Sequence, residues 1–104
     1  ILGRKIVDLM HINHLSPNLI PYDIAKLLTY GGYGFGLGSR VLLNVAESQL
    51  PGSVGEFGWA GIAKTYYWVD PVEELIGILM AQSMVQFETP ERDLRVLAYQ
   101  ALVD

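Results

Sequence analysis

The chain has 104 residues, with seven Lys and Arg against eleven Asp and Glu for a formal net charge of −4, and it contains no cysteine. This length suits one small domain or part of a larger one, and a hydrophobic content of 51% excludes an intrinsically disordered chain. The absent cysteines exclude a disulfide framework, a thiolate metal site and a cysteine nucleophile. Nucleic acid is not an expected partner, because the basic residues are scattered from Arg4 to Arg95 rather than clustered. No apolar run reaches the roughly 18 residues of a membrane-spanning helix. The first residues also lack the basic-then-apolar pattern of a signal peptide, so the chain reads as soluble. A charged fraction of only 17% beside 11 glycines nevertheless implies surface that expects a partner.

In chain order, residues 2–12 place Ile6, Leu9 and Met10 on one side at helical spacing, which predicts a short first helix. Ser16-Pro17-Asn18 ends it, since proline disfavours helical geometry in its predecessor. Residues 16–32, punctuated by Pro17, Pro21 and Gly31-Gly32, read mainly as loop, with Asp23 capping at most one helical turn through Leu28. From Tyr33 the period becomes two. Tyr33, Phe35 and Leu37 alternate with Gly34, Gly36 and Gly38 and lead into Val41, Leu42 and Leu43, which predicts one strand with a smooth face. Glycine at every second position marks a face that another backbone or side chain approaches closely. A loop over residues 44–52 leads to strands at 54–59, 62–69 and 75–82, the last two joined as an antiparallel hairpin by Asp70-Pro71. Thr89-Pro90-Glu91 has the form of a helix start, and the helix runs to Val103. Its apolar stripe of Leu94, Leu97, Ala98, Ala101 and Leu102 is expected to be buried. Together the elements predict an α+β architecture, an antiparallel β-sheet flanked by N- and C-terminal helices.

Local signatures of chemistry are few. Ser-x-x-Lys needs a serine one helical turn before a lysine, but Leu2, Asp23 and Gly61 stand three before Lys5, Lys26 and Lys64. Around Ser53 the glycines do not fit Gly-x-Ser-x-Gly. Asp8, His11 and His14 could approach one another on a helix, yet the His-x-x-x-His spacing and an assured third ligand are missing, so the histidines are read as belonging to a helix end and no metal is assigned. The run Gly-Phe-Gly-Leu-Gly fits neither a dinucleotide nor a Walker pattern, and no cofactor is assigned. Asp70, Glu73 and Glu74 are read as a solvated charged tip, and Tyr66, Tyr67 and Trp68 as sheet faces.

The ordered strings GGYGFGLGSRVLLN, SVGEFGWAG and TYYWVDPVEELIGILMAQ, spanning residues 31 to 82, resemble the C-terminal part of serine hydrolases of the β-lactamase superfamily. They especially resemble the class C-like branch with its family VIII carboxylesterases and penicillin-binding-protein-like enzymes. The resemblance implies a partial β-lactamase/transpeptidase-like fold over residues 1–104. In that superfamily the site comprises Ser-x-x-Lys, a Tyr-x-Asn or Ser-x-Asn motif, and Lys-Thr-Gly on a sheet-edge strand. Only the third has an equivalent here, at Trp59-Ala60-Gly61, which would line the substrate cleft, with the Ile62 backbone N–H as an oxyanion-hole donor. Lys64-Thr65 lies mid-strand beyond that motif, and Ser16-Pro17-Asn18 spells Ser-x-Asn within a turn, so neither is catalytic. No catalytic residue is assigned within the chain, because the nucleophile-bearing region would precede Ile1. The resemblance implies hydrolysis of a small ester or amide by the complete protein, with the 104-residue chain inactive alone and prone to homo-oligomerise through uncovered apolar surface. The alternative is a non-catalytic oligomeric interaction module reusing the scaffold.

Overall fold

The aromatic and branched residues from Tyr33 onward build a five-stranded antiparallel sheet in the computed structural model, which describes residues 1–24, 28–85 and 88–103. Its strands β3 (Tyr33–Phe35), β4 (Arg40–Leu42), β5 (Phe57–Ala60), β6 (Tyr66–Asp70) and β7 (Leu75–Leu79) lie side by side in chain order. Helices α1 (Arg4–Met10) and α3 (Pro90–Gln100) flank it, giving the expected α+β architecture.

Several boundaries differ from expectation. The single strand expected over residues 33–43 is two, because the chain turns at residues 36–39, where the Gly36 N–H donates to the Ser39 carbonyl at 2.8 Å. The smooth face is real. A Cβ on Gly34 would meet the Asn13 side chain at 2.3 Å, and one on Gly36 the Met10 carbonyl oxygen at 2.2 Å, so the segment leaving α1 lies directly on this turn. The expected loop over 16–32 holds a short 3-10 turn at Pro17–Leu19 and two paired strands, β1 (Tyr22–Ile24) and β2 (Leu28–Tyr30), which form a separate antiparallel sheet. Tyr22 and Tyr30 pair in register with rings stacked 5.2 Å apart, a cross-strand contact that replaces the helical turn expected from Asp23. The middle of that turn, residues 25–27, lies outside the described residues. Within the loop at 44–52, α2 (Val45–Ser48) forms a single turn, capped by the Asn44 side chain accepting from the Glu47 N–H at 3.2 Å.

The hairpin of β6 and β7 forms as expected, but Asp70 is no part of a solvated tip. It is fully buried at the end of β6, accepting hydrogen bonds from the Tyr99 hydroxyl at 2.7 Å and from the N–H groups of Ser53 at 3.1 Å and Val72 at 3.0 Å. Burial pushes its carboxyl up, but these donors outweigh burial and hold it below the ordinary carboxylate range. Glu73 and Glu74 are exposed as expected.

The α3 stripe is also corrected. Leu97 is 63% exposed, and Ala101 and Leu102 are exposed too, whereas Arg95 is fully buried. The helix turns Arg95 and Tyr99 to the sheet because both find polar partners there. Arg95 makes a bidentate ion pair with the equally buried Glu56, and its Nε donates to the Pro51 carbonyl at 2.7 Å. The guanidinium lies 5.8 Å from the Trp68 ring centroid and 5.4 Å from that of Tyr99. Trp68 fits because the register sets Gly58 and Gly77 on either side of it, and a Cβ on Gly77 would fall 2.0 Å from its ring.

Candidate functional site

Trp59 and Ala60 end β5, with Gly61 just beyond it, and β5 is the third of five strands rather than an edge strand. It nevertheless has an open side. The ladder of β4 with β5 covers only Arg40 with Gly58 and Val41 with Phe57, whereas the ladder with β6 continues through Trp59 and Ala60. The Leu42 N–H donates to the Glu56 carbonyl on the β4 side, and the Gly61 N–H donates to the Thr65 carbonyl on the β6 side. Strand alternation therefore turns the Ala60 N–H and C=O toward β4, past the point where β4 pairing stops.

Ile62 does not begin a strand. It sits in a tight turn closed by the Lys64 N–H donating to the Gly61 carbonyl at 3.0 Å, and its residue is 83% exposed. Among the described residues no hydrogen bond engages the Ile62 N–H. The same turn places Lys64 at a φ of 71°, so Lys64-Thr65 precedes β6 rather than lying mid-strand.

Trp59 is half-buried within a circuit of four rings. Its indole stacks at 6.1 Å on Tyr30, Tyr30 stacks at 5.2 Å on Tyr22, and Phe35 meets Tyr22 and Trp59 edge-on at 6.1 and 5.2 Å. Burial raises the Tyr22 and Tyr30 phenols above their ordinary value, so both stay neutral hydroxyls at physiological pH. Two concavities border Trp59. One of about 700 Å³ runs past Tyr22, Phe35, Leu15 and Leu19, and one of about 340 Å³ runs past Ala60, Gly61, Thr65 and Tyr67. Both fall in the size range of small-molecule sites. The structure thus brings Trp59, Ala60 and Gly61 to concave surface, while Ile62 lines neither space. Sequence reading missed Tyr22 and Phe35 as wall residues, the first because it lies in the proline-punctuated stretch read as loop, the second because it is read only as one position of an alternating strand.

The other candidates are occupied structurally. His11 stacks on Phe57 at 3.5 Å and its Nδ1 lies 3.2 Å from the Ser39 hydroxyl, while His14 Nε2 lies 2.8 Å from the Leu9 carbonyl oxygen. Among the described residues no three His, Asp or Glu side chains converge as a metal site. Nor is any helix among them long and apolar enough to cross a membrane.

No family model matches the chain. Two curated proteins of Mycobacterium tuberculosis, "Uncharacterized protein MT1414" and "Protein Rv1367c", are each 29% identical to it over 85 residues, covering 79% of this chain and 21% of their own length. The chain thus spans about a fifth of the curated relatives it matches. In the solved structure of "EstCE1, a hydrolase with promiscuous acyltransferase activity", 23% of the chain superposes on 92% of this one with a TM-score of 0.70 and 20% sequence identity. The antiparallel sheet with its flanking helices therefore has the fold of one part of that hydrolase.

Proposed function

We propose that this chain is the C-terminal, cleft-forming part of a β-lactamase-like serine hydrolase that cleaves a small ester or amide through an acyl-serine intermediate. The observation that carries the reading is the end of β5, where the stretch resembling the Lys-Thr-Gly element lies beside open concave surface, past the reach of β4. The fold likeness to a hydrolase supports it. In this mechanism a serine Oγ from the rest of the protein attacks the substrate carbonyl, and the Ile62 N–H, which the resemblance assigns to the oxyanion hole and which no hydrogen bond engages among the described residues, donates to the developing oxyanion. The alcohol or amine leaves with a proton, and water then releases the acid and restores the serine. Trp59 stands where the family's lysine would bind a carboxylate, so the pocket wall is apolar and the reading favours esters over β-lactams.

The test compares a chromogenic short-chain ester and nitrocefin as substrates for the complete protein and for the 104-residue chain alone. The complete protein is expected to turn over the ester, and the isolated chain neither compound. Ester turnover by the isolated chain would overturn the assignment of the nucleophile to the rest of the protein. A second reading, a non-catalytic oligomeric module, draws on the apolar surface of Ile76, Ile78 and Leu97, all more than 60% exposed.

A further inference from the structure

The concavity bordered by Tyr22, Phe35 and Trp59 carries two polar residues, Asn18 and Asp23, and apolar walls of two kinds. Leu15, Leu19 and Pro21 supply aliphatic surface, which attracts any apolar group in proportion to area. The three rings supply faces and edges, which discriminate by geometry. Tyr22, Tyr30 and Trp59 are linked by interplanar angles of 17° and 23°, while Phe35 stands at 88° to Tyr22 and 90° to Trp59. A flat guest in such a space can stack on one ring and meet another edge-on, as the four rings already do among themselves. The circuit is also tied to the core. Tyr30 meets Tyr33 edge-on at 6.2 Å, and the Arg40 guanidinium lies 5.2 Å from the Tyr33 ring. Its walls are therefore set before a ligand arrives, and little ordering cost is left for binding.

We propose that this concavity binds a planar aromatic ring. Resting on the hydrolase reading, that ring belongs to the acyl or alcohol part of the substrate ester, so the complete protein acts on aromatic esters in preference to aliphatic ones of equal size. The geometry of the rings, and not the apolar area, carries the discrimination.

The experiment titrates the 104-residue chain with benzyl acetate and, separately, with cyclohexylmethyl acetate, following the two indole N–H resonances by NMR. Trp68, 1% exposed, serves as the internal reference. Benzyl acetate is expected to shift the Trp59 resonance saturably and to bind about three- to tenfold more tightly than its saturated counterpart. Leu19 is 54% exposed in a short turn, so Leu19→Trp preserves the fold while filling the space, and it is expected to abolish the shift. Equal affinity for the two esters, or a benzyl acetate response that survives Leu19→Trp, would overturn the inference. The same esters given to the complete protein separate the two proposals. Ring binding at Trp59 without hydrolysis sinks the hydrolase reading and leaves the aromatic site standing; hydrolysis with no preference for the benzyl ester does the reverse.

Discussion

The role proposed for Trp59 rests on where the β4 pairing of β5 stops. Its indole contributes contact area rather than charge, and replacing it removes one side of the ring circuit. In the complete protein Trp59→Ala is expected to lower kcat/KM for an ester substrate by about tenfold, in line with an aromatic contact of about 1 kcal/mol plus the lost area. Steady-state kinetics check this; unchanged kcat and KM would place Trp59 outside the cleft. A second residue-scale prediction concerns the buried pair. Glu56→Gln leaves Arg95 charged and buried with no anion beside it, and is expected to cost about 3 to 5 kcal/mol in urea unfolding. Replacing both residues with apolar ones of similar volume is expected to cost far less, because no charge is then stranded. His11 supplies a pH dependence. Burial against Phe57 lowers its pKa from 6.5, so the fold favours the neutral ring. Its contribution to stability is complete above pH 6.5 and is lost as the pH falls from there through the lowered folded value. Urea midpoints measured between pH 7.5 and 5.5 are expected to fall with acidification in the wild type and to fall less in His11→Phe, which keeps the stack.

At the scale of elements, the packing of α3 on β6 and β7 depends on the room that Gly77 leaves for Trp68. Gly77→Ala places a methyl group inside the indole's volume and is expected to destabilise the chain by about 1 to 3 kcal/mol, measured as a shift in the urea midpoint. How far these elements could be read from residues alone follows from where their signals are local. The β6–β7 hairpin was legible because Asp70-Pro71 is turn chemistry between two apolar runs. The start of α3 was legible because Pro90 suits the first helical position, although the Thr89 side chain makes no capping bond. What stayed hidden depends on partners distant in sequence. Asp70 has the appearance of a surface acid until Tyr99 and Ser53 arrive as donors, and Arg95 looks solvated until Glu56 meets it across 39 residues. The β1–β2 pairing escaped notice for a different reason. Its strands are three residues each, too short for alternation to stand out between proline and glycine. The Trp59-Ala60-Gly61 stretch is singled out only by family resemblance, since neither its open side nor its ring partners leave a periodic trace.

For the whole molecule, the balance between core and surface is unusual. The buried centre combines charged and aromatic groups with the aliphatic Val41 and Leu42, while Ile76, Ile78 and Met80 on and beside β7, and Leu97 on α3, face outward. Apolar surface of this kind is a cost in a small independent unit and an asset where further polypeptide covers it. The isolated 104-residue chain is therefore expected to self-associate in static light scattering, and Ile76→Lys together with Leu97→Lys, neither of which lines a concavity beside Trp59, is expected to reduce the association without altering the ring circuit. A monodisperse monomer of the unsubstituted chain would contradict this. The most direct test of the acyl-serine proposal treats the complete protein with a fluorophosphonate that labels activated serines and maps the product by mass spectrometry. One labelled serine is expected, located outside residues 1–104, and its labelling is expected to slow in the presence of a competing ester. A labelled serine within residues 1–104 would contradict the proposal, as would labelling that no ester competes.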